Sequence, residues 1–240
     1  MKITTNIDDQ YDMVIHWYDS TFKQPNAKLV EFAKNHQTIN LFSTDISKKR
    51  LDILFKEVFG YNTEIDPLLY QGQVLEKGNI NAKKSAKIIQ CPIQQKKEDY
   101  VYQIVIDNQY DDNYVIDYRV PIFKDSIPFV YKKFIPLKAR FSSMPDKVFI
   151  KETEEIFNKE EVDNIIKLCQ AMNVEYGELD VLRNKTDNKI YVVDVNDTPG
   201  ALPGYRKLYE TGIESFEDGK REEALFRLTK TFYEKFLANK

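Results

Sequence analysis

The chain has 240 residues, a formal net charge of −3 and two cysteines. Its charges are mixed in sign, which excludes a nucleic-acid footprint, and Cys91 and Cys169 are too far apart in sequence for a disulfide framework or a zinc site. No apolar run reaches membrane-spanning length and no signal-peptide pattern opens the sequence, so a cytoplasmic protein of one large or two small domains is expected.

In chain order, the apolar run 13–17 predicts a strand. Ala27, Leu29, Val30, Phe32 and Ala33 predict a short helix over 26–35, and 39–42 predicts a second strand. Residues 45–50 open a helix carrying Leu51, Leu54, Phe55 and Val58, with Asp45 or Ser47 as cap and Gly60 as stop. A strand at 73–79 leads into a loop, 78–86, and residues 88–93 return as its partner. A polar linker at 96–99 precedes a strand at 100–107, and 115–122 pairs with 129–133 across a turn at Asp125 and Ser126. Asn158 and Glu161 form a capping box for a helix over 158–172, whose apolar face is Val162, Ile165, Ile166, Cys169 and Met172. A last helix, 217–237, carries a stripe of Leu225, Leu228, Phe232 and Phe236 and an i, i+4 pair of Glu223 with Arg227.

Residues 176–183 and 190–196 are β-rich and joined by an Asp/Asn-rich turn, the pattern of a hairpin. Strand alternation puts Asp194 and Asn196 on one face, and antiparallel return brings Asp180 opposite them. Two carboxylates and an amide oxygen on one sheet face are costly unless a cation joins them. Oxygen donors with room for water and phosphate suit Mg²⁺. The plain alternative is a solvent-facing hairpin with an acidic side.

Leu179-Asp180, followed by Asp194-x-Asn196-x-x-Pro199, resembles the magnesium-binding end of the ATP-grasp superfamily, over roughly residues 41–205. The resemblance implies an α+β fold in which two α+β subdomains clasp a nucleotide, behind a shortened N-terminal α/β segment. Its divisions would be 1–44 for that strand–helix–strand segment, 45–97 for the small subdomain and 98–240 for the large one. ATP and Mg²⁺ are the implied cofactors, with Asp180, Asp194 and Asn196 as metal ligands. Lys48 or Lys49 would reach the α-phosphate and Lys77 the α- and β-phosphates, with Lys83, Lys84 and Ser85 assisting from a loop that has one glycine. Gln103 and Ile104 would offer backbone contacts to the adenine edge, and Asp107 would take the ribose. Arg119 would meet the phosphates and Arg140 the transferred phosphoryl group. Each has an ordinary counterpart: a solvated basic turn at 45–50, a core strand at 100–107, and cross-strand surface partners for the arginines.

The implied activity joins a carboxylate to an amine through an acyl-phosphate. The partners would be small-molecule, peptide-linked or sugar-linked substrates, with neither nucleic acid nor membrane, and homo-oligomerisation is left open. Two other readings stand beside it. One is a kinase or phosphotransferase using the same site. The other is a non-catalytic nucleotide-binding module, which the glycine-poor loop favours and the clustered carboxylates oppose.

Overall fold

The expected strand–helix–strand unit stands at the N-terminal end. The computed structural model describes residues 4–6, 8–11, 13–81, 86–141 and 144–238. Strands β1 (Met13–Ile15) and β2 (Gln37–Ile39) pair in parallel, and helix α1 (Ala27–Phe32) crosses between them. The Asn26 side chain caps α1 by accepting the Lys28 amide. β2 ends at Ile39, earlier than the 39–42 run predicts, because Asn40 turns left-handed at φ 57°. Asparagine tolerates that conformation better than the β-branched residue before it.

Helix α2 (Lys48–Phe59) starts at Ser47, whose hydroxyl accepts the Arg50 amide at 3.3 Å, and it stops at Gly60 with φ 77°. Asp45 supports the cap instead of forming it, accepting the Ser47 amide at 2.9 Å. Leu51, Leu54 and Phe55 give α2 its buried face. A three-stranded antiparallel sheet follows, with β3 (Gly72–Gly78) between β4 (Lys87–Cys91) and β5 (Tyr100–Ile104). β5 is shorter than the 100–107 run. Its outer edge is taken by Thr63 and Ile65, through Ile104 N–H to Thr63 O and Ile65 N–H to Tyr102 O, both at 2.9 Å. Beyond Ile104 the chain leaves the sheet.

The larger sheet has five antiparallel strands: β6 (Tyr114–Phe123), β7 (Val130–Pro136), β8 (Lys147–Lys151), β9 (Tyr176–Arg183) and β10 (Ile190–Asn196). Their order is β10-β9-β6-β7-β8. Between β8 and β9 run the short helix α3 (Thr153–Ile156) and α4 (Lys159–Ala171), which opens with the predicted Asn158–Glu161 capping box. Alternation divides the sheet cleanly. Val120, Ile122, Val130, Leu179 and Val181 pack with Phe55 of α2 and with Ile165, Leu168 and Cys169 of α4 in the main core. On the opposite face, Tyr131, Val148 and Ile150 are covered by Phe216 and by Ala224 of α6 (Arg221–Phe236), which follows α5 (Tyr205–Thr211).

α6 is rotated from the predicted stripe. Ala224 and Phe236 are buried with Leu228 and Phe232 packed beside them, whereas Leu225 is half-exposed. Arg227 fixes that rotation: it pairs with both oxygens of Glu152 and also donates to the Pro128 carbonyl. Its contact with Glu223 is the weaker one, at 3.7 Å. No helix among the described residues is long and apolar enough to cross a membrane.

Candidate active site

The part of the second face left uncovered by α6 carries the charged residues. Tyr131, Arg119, Asp180 and Asp194 are successive register partners across β7, β6, β9 and β10, and their side chains therefore share one face. The hairpin forms as the turn chemistry predicts, with one refinement. A bulge at Val193 shifts the register between Val192 and Asp194, and Asp194 still pairs with Asp180. Asn196 pairs with Glu178 two residues further on.

Arg119 donates from Nε to Glu178 at 2.7 Å and from Nη1 to Asp180 at 3.0 Å. Lys133 Nζ holds the other Asp180 oxygen at 2.9 Å. Burial disfavours charge on Asp180, but Lys133 and Arg119 outweigh it and hold the carboxyl far below its usual range. Burial likewise opposes the Arg119 charge, and Asp180 and Glu178 reverse that, so its pKa is raised.

Two lysines reach the same place from other elements. Lys48, at the start of α2, donates to Asp194 at 3.2 Å and to Asn81 at 2.8 Å. Lys77, on β3, donates to the Val193 carbonyl at 2.9 Å, at the bulge. Burial lowers its pKa to about 8, partly offset by Asp194. Asn81 adds a bond to the Val195 carbonyl at 2.9 Å. Lys49 is exposed. Four cations thus converge on Glu178, Asp180 and Asp194. Clustered cations of this kind suit a polyanion.

The other sequence candidates lie towards the connection between the sheets. Gln103 is buried and its side chain donates to Asp52. The Ile104 amide is already given to Thr63, so it is not open to an adenine edge. Asp107 is exposed and accepts the Gln109 amide at 3.1 Å. Arg140 donates to the Ile106 carbonyl and to Asn108 at 2.9 Å, and Asn108 in turn donates to Asp117 of the charged face at 2.8 Å. Lys83, Lys84 and Ser85 lie outside the described residues.

The donor set fits magnesium held jointly with phosphate. Asp180, Asp194 and Asn196 each carry an oxygen donor, and more than a third of the Asp194 side chain is open. Asp180 holds Arg119 and Lys133, and Asn196 Oδ1 accepts the Thr198 amide at 3.0 Å, so those two must give up partners to reach a metal. Among the described residues no group of three Asp, Glu, His or Cys side chains is placed to hold a metal by itself. Water and phosphate oxygens must therefore complete any octahedral shell.

Sequence reading missed Lys133, Glu178, Asp117 and Asn81. Glu178 was discoverable by alternation, two residues before Asp180. Lys133 and Asp117 are register partners on the same face. Burial raises the Asp117 pKa to about 6, against the pull of Lys133. Asn81 had no local signal, because its bonds span 33 and 114 residues of sequence.

No family model matches the sequence, and no curated protein matches it. Solved structures do match the fold. The ATP-grasp ligase PsnB, complexed with precursor peptide PsnA2 and AMPPNP, gives a TM-score of 0.54 at 13% identity, over 85% of this chain and 64% of that one. PsnB with a phosphomimetic variant of its minimal precursor, Mg and ADP gives 0.51 at 12% identity, over 85% and 64%. The D-alanine-D-alanine ligase from Coxiella burnetii gives 0.53 at 11% identity, over 95% and 69%. The chain thus has an ATP-grasp fold, and it spans about two thirds of the length of these proteins.

Proposed function

We propose that this ATP-grasp fold serves an ATP- and Mg²⁺-dependent ligase that joins a carboxylate to an amine through an acyl-phosphate. The observation that carries the proposal is the convergence of Lys48, Lys77, Arg119 and Lys133 on the register-paired Asp180 and Asp194. A site of that composition binds a nucleoside triphosphate with its metal, and phosphoryl transfer asks little of a protein beyond positioning and charge neutralisation.

In this reading Lys48 and Lys77 exchange their present partners, Asp194 and the Val193 carbonyl, for phosphate oxygens. Arg119 spreads its guanidinium over the transferred phosphoryl group, a planar match for two non-bridging oxygens. Lys133 and Arg119 together keep Asp180 ionised. Asp180, Asp194 and Asn196 would hold Mg²⁺, which when bound neutralises the charge on the β- and γ-phosphates. The acceptor carboxylate attacks the γ-phosphorus and ADP leaves; the amine then attacks the acyl carbon and phosphate leaves. Asp107, exposed beside the connection between the sheets, suits the ribose. Arg140 suits the nucleoside end better than the γ-phosphate, since it is bonded to Ile106 and Asn108. The precursor peptides bound by PsnB favour a peptide-borne or small-molecule acceptor.

Thermal shift with ATP, with and without Mg²⁺, tests the site, because a ligand bound only to the folded state raises stability by mass action. The shift is expected to require the metal. Product analysis with candidate acceptors then tests the reaction. ADP with free phosphate and an amide supports ligation, a stable phosphorylated acceptor supports a kinase, and AMP with pyrophosphate rules out the acyl-phosphate route.

A further inference from the structure

Lys23 and Asp197 form a buried ion pair next to the metal-binding strand. Both side chains are fully buried, 174 residues apart in sequence, and Lys23 Nζ donates to Asp197 Oδ2. Ser43 donates to the same oxygen at 2.7 Å. The Asp197 carbonyl is gripped from the same side, by Asn40 Nδ2 at 2.9 Å. Asn40 accepts the Glu175 and Tyr176 amides at 2.9 and 3.0 Å, and so joins the start of β9 to the end of β10. The segment 21–48 also holds the phosphate side. The Thr21 hydroxyl accepts the Asn81 amide at 2.9 Å, and Asn81 bonds both Lys48 and the Val195 carbonyl.

Residues 195 and 197 are therefore each fixed by a bond from outside the strand, and Asn196 lies between them with its side chain on the other face, where its Oδ1 accepts the Thr198 amide at 3.0 Å. A buried charge pair is a weak source of stability, since desolvation cancels much of its attraction. What it supplies is direction, because a charged hydrogen bond holds its partners to one geometry. Gly177 marks how little slack there is: a methyl group there would meet the Asn196 carbonyl at 2.7 Å.

We propose that the Lys23–Asp197 pair is a positioning device for the metal site, setting the end of β10 so that Asn196 is presented to Mg²⁺ together with Asp194. The N-terminal segment is then part of the phosphate site and not a separate layer. This rests on the ligase reading only in requiring Mg·nucleotide to bind.

The test is calorimetric binding of ADP across a Mg²⁺ titration, with thermal unfolding alongside, for the full chain and two variants. Lys23→Met leaves Asp197 buried without its cation, and should lower Tm and raise the Mg²⁺ concentration for half-maximal ADP binding about tenfold. Metal-free ADP affinity should stay within about twofold. Lys23→Met combined with Asp197→Leu removes both charges, so Tm should recover while the raised Mg²⁺ requirement persists. An unchanged Mg²⁺ requirement in both variants, or one that returns to wild type together with Tm, overturns the positioning role and leaves the pair merely structural. If the wild-type protein fails to bind Mg·ADP, the ligase reading fails first and the positioning role falls with it.

Discussion

Lys77 is a buried lysine whose burial, under the proposed function, is useful only when a nucleotide arrives. Desolvation lowers its pKa to about 8, so at neutral pH it is charged and costly in the ligand-free protein. Below pH 8 the folded and unfolded chains both carry its proton, and the cost is fully present. Between about 8 and 10.5 the folded chain releases the proton while the unfolded chain keeps it, so stability rises with pH across that window. Lys77→Met should therefore stabilise the ligand-free protein at pH 7 by about 1–2 kcal/mol, after allowing for the lost bond to Val193. The gain should vanish near pH 10, as read by urea denaturation at the two pH values. The same substitution should weaken ATP binding by about 1.5–3 kcal/mol, the value of a charge-assisted hydrogen bond. Arg119 behaves oppositely. Its loss leaves Asp180 with Lys133 and takes from Glu178 its ion-pair partner, so Arg119→Met should destabilise the fold by about 3 kcal/mol as well as abolish turnover.

At the scale of elements, the two glycines that terminate or line the site elements differ in what they protect. Gly60 has φ 77° with open space around it, so Gly60→Ala should cost about 1 kcal/mol through backbone strain alone and leave nucleotide affinity unchanged. Gly177 has no such strain, but its α-carbon faces the Asn196 carbonyl across the hairpin. Gly177→Ala must displace the end of β10, at about 1–3 kcal/mol, and should weaken Mg²⁺-dependent ADP binding as well. Denaturation and calorimetry on the two variants separate the effects. Elements were legible in the sequence wherever a local rule governs them: Ser47 and Gly60 around α2, the capping box of α4, and the hairpin with its paired aspartates. They were misread where a distant contact decides. β5 stops where Thr63 and Ile65 take its outer edge, and α6 is turned by the Arg227–Glu152 pair. The site follows the same division. Periodicity delivers Asp180, Asp194 and Asn196 to one face, whereas the committed bonds of Ile104 and Arg140 come from tertiary neighbours that no spacing reveals.

At the scale of the whole molecule, three parts of the chain meet at Asp194: α2 through Lys48, the small sheet through Lys77 at Val193, and the larger sheet through Asp180. Lys48 and Lys77, which the proposed function assigns to phosphate, are occupied in the strand that would hold the metal, at Asp194 and the Val193 carbonyl. Under the proposed function nucleotide binding is an exchange of partners, in which the Asp194 carboxylate and the Val193 carbonyl give way to phosphate around the same ammonium groups. Asp194→Asn separates the two halves of that exchange. It removes the charge facing Lys48, so metal-free ATP affinity should hold or improve, since the ammonium no longer has to leave a carboxylate. Turnover should fall by about 100-fold or more, because charge stabilisation is worth most when negative charge redistributes in the transition state. The measurement is ADP release by wild type and variant, beside a binding isotherm for each with and without Mg²⁺. Equal losses in affinity and turnover would mean that Asp194 serves ground-state binding only. Wild-type release at the buffer background with every acceptor, despite tight Mg·ATP binding, would leave a nucleotide-binding module in place of a ligase.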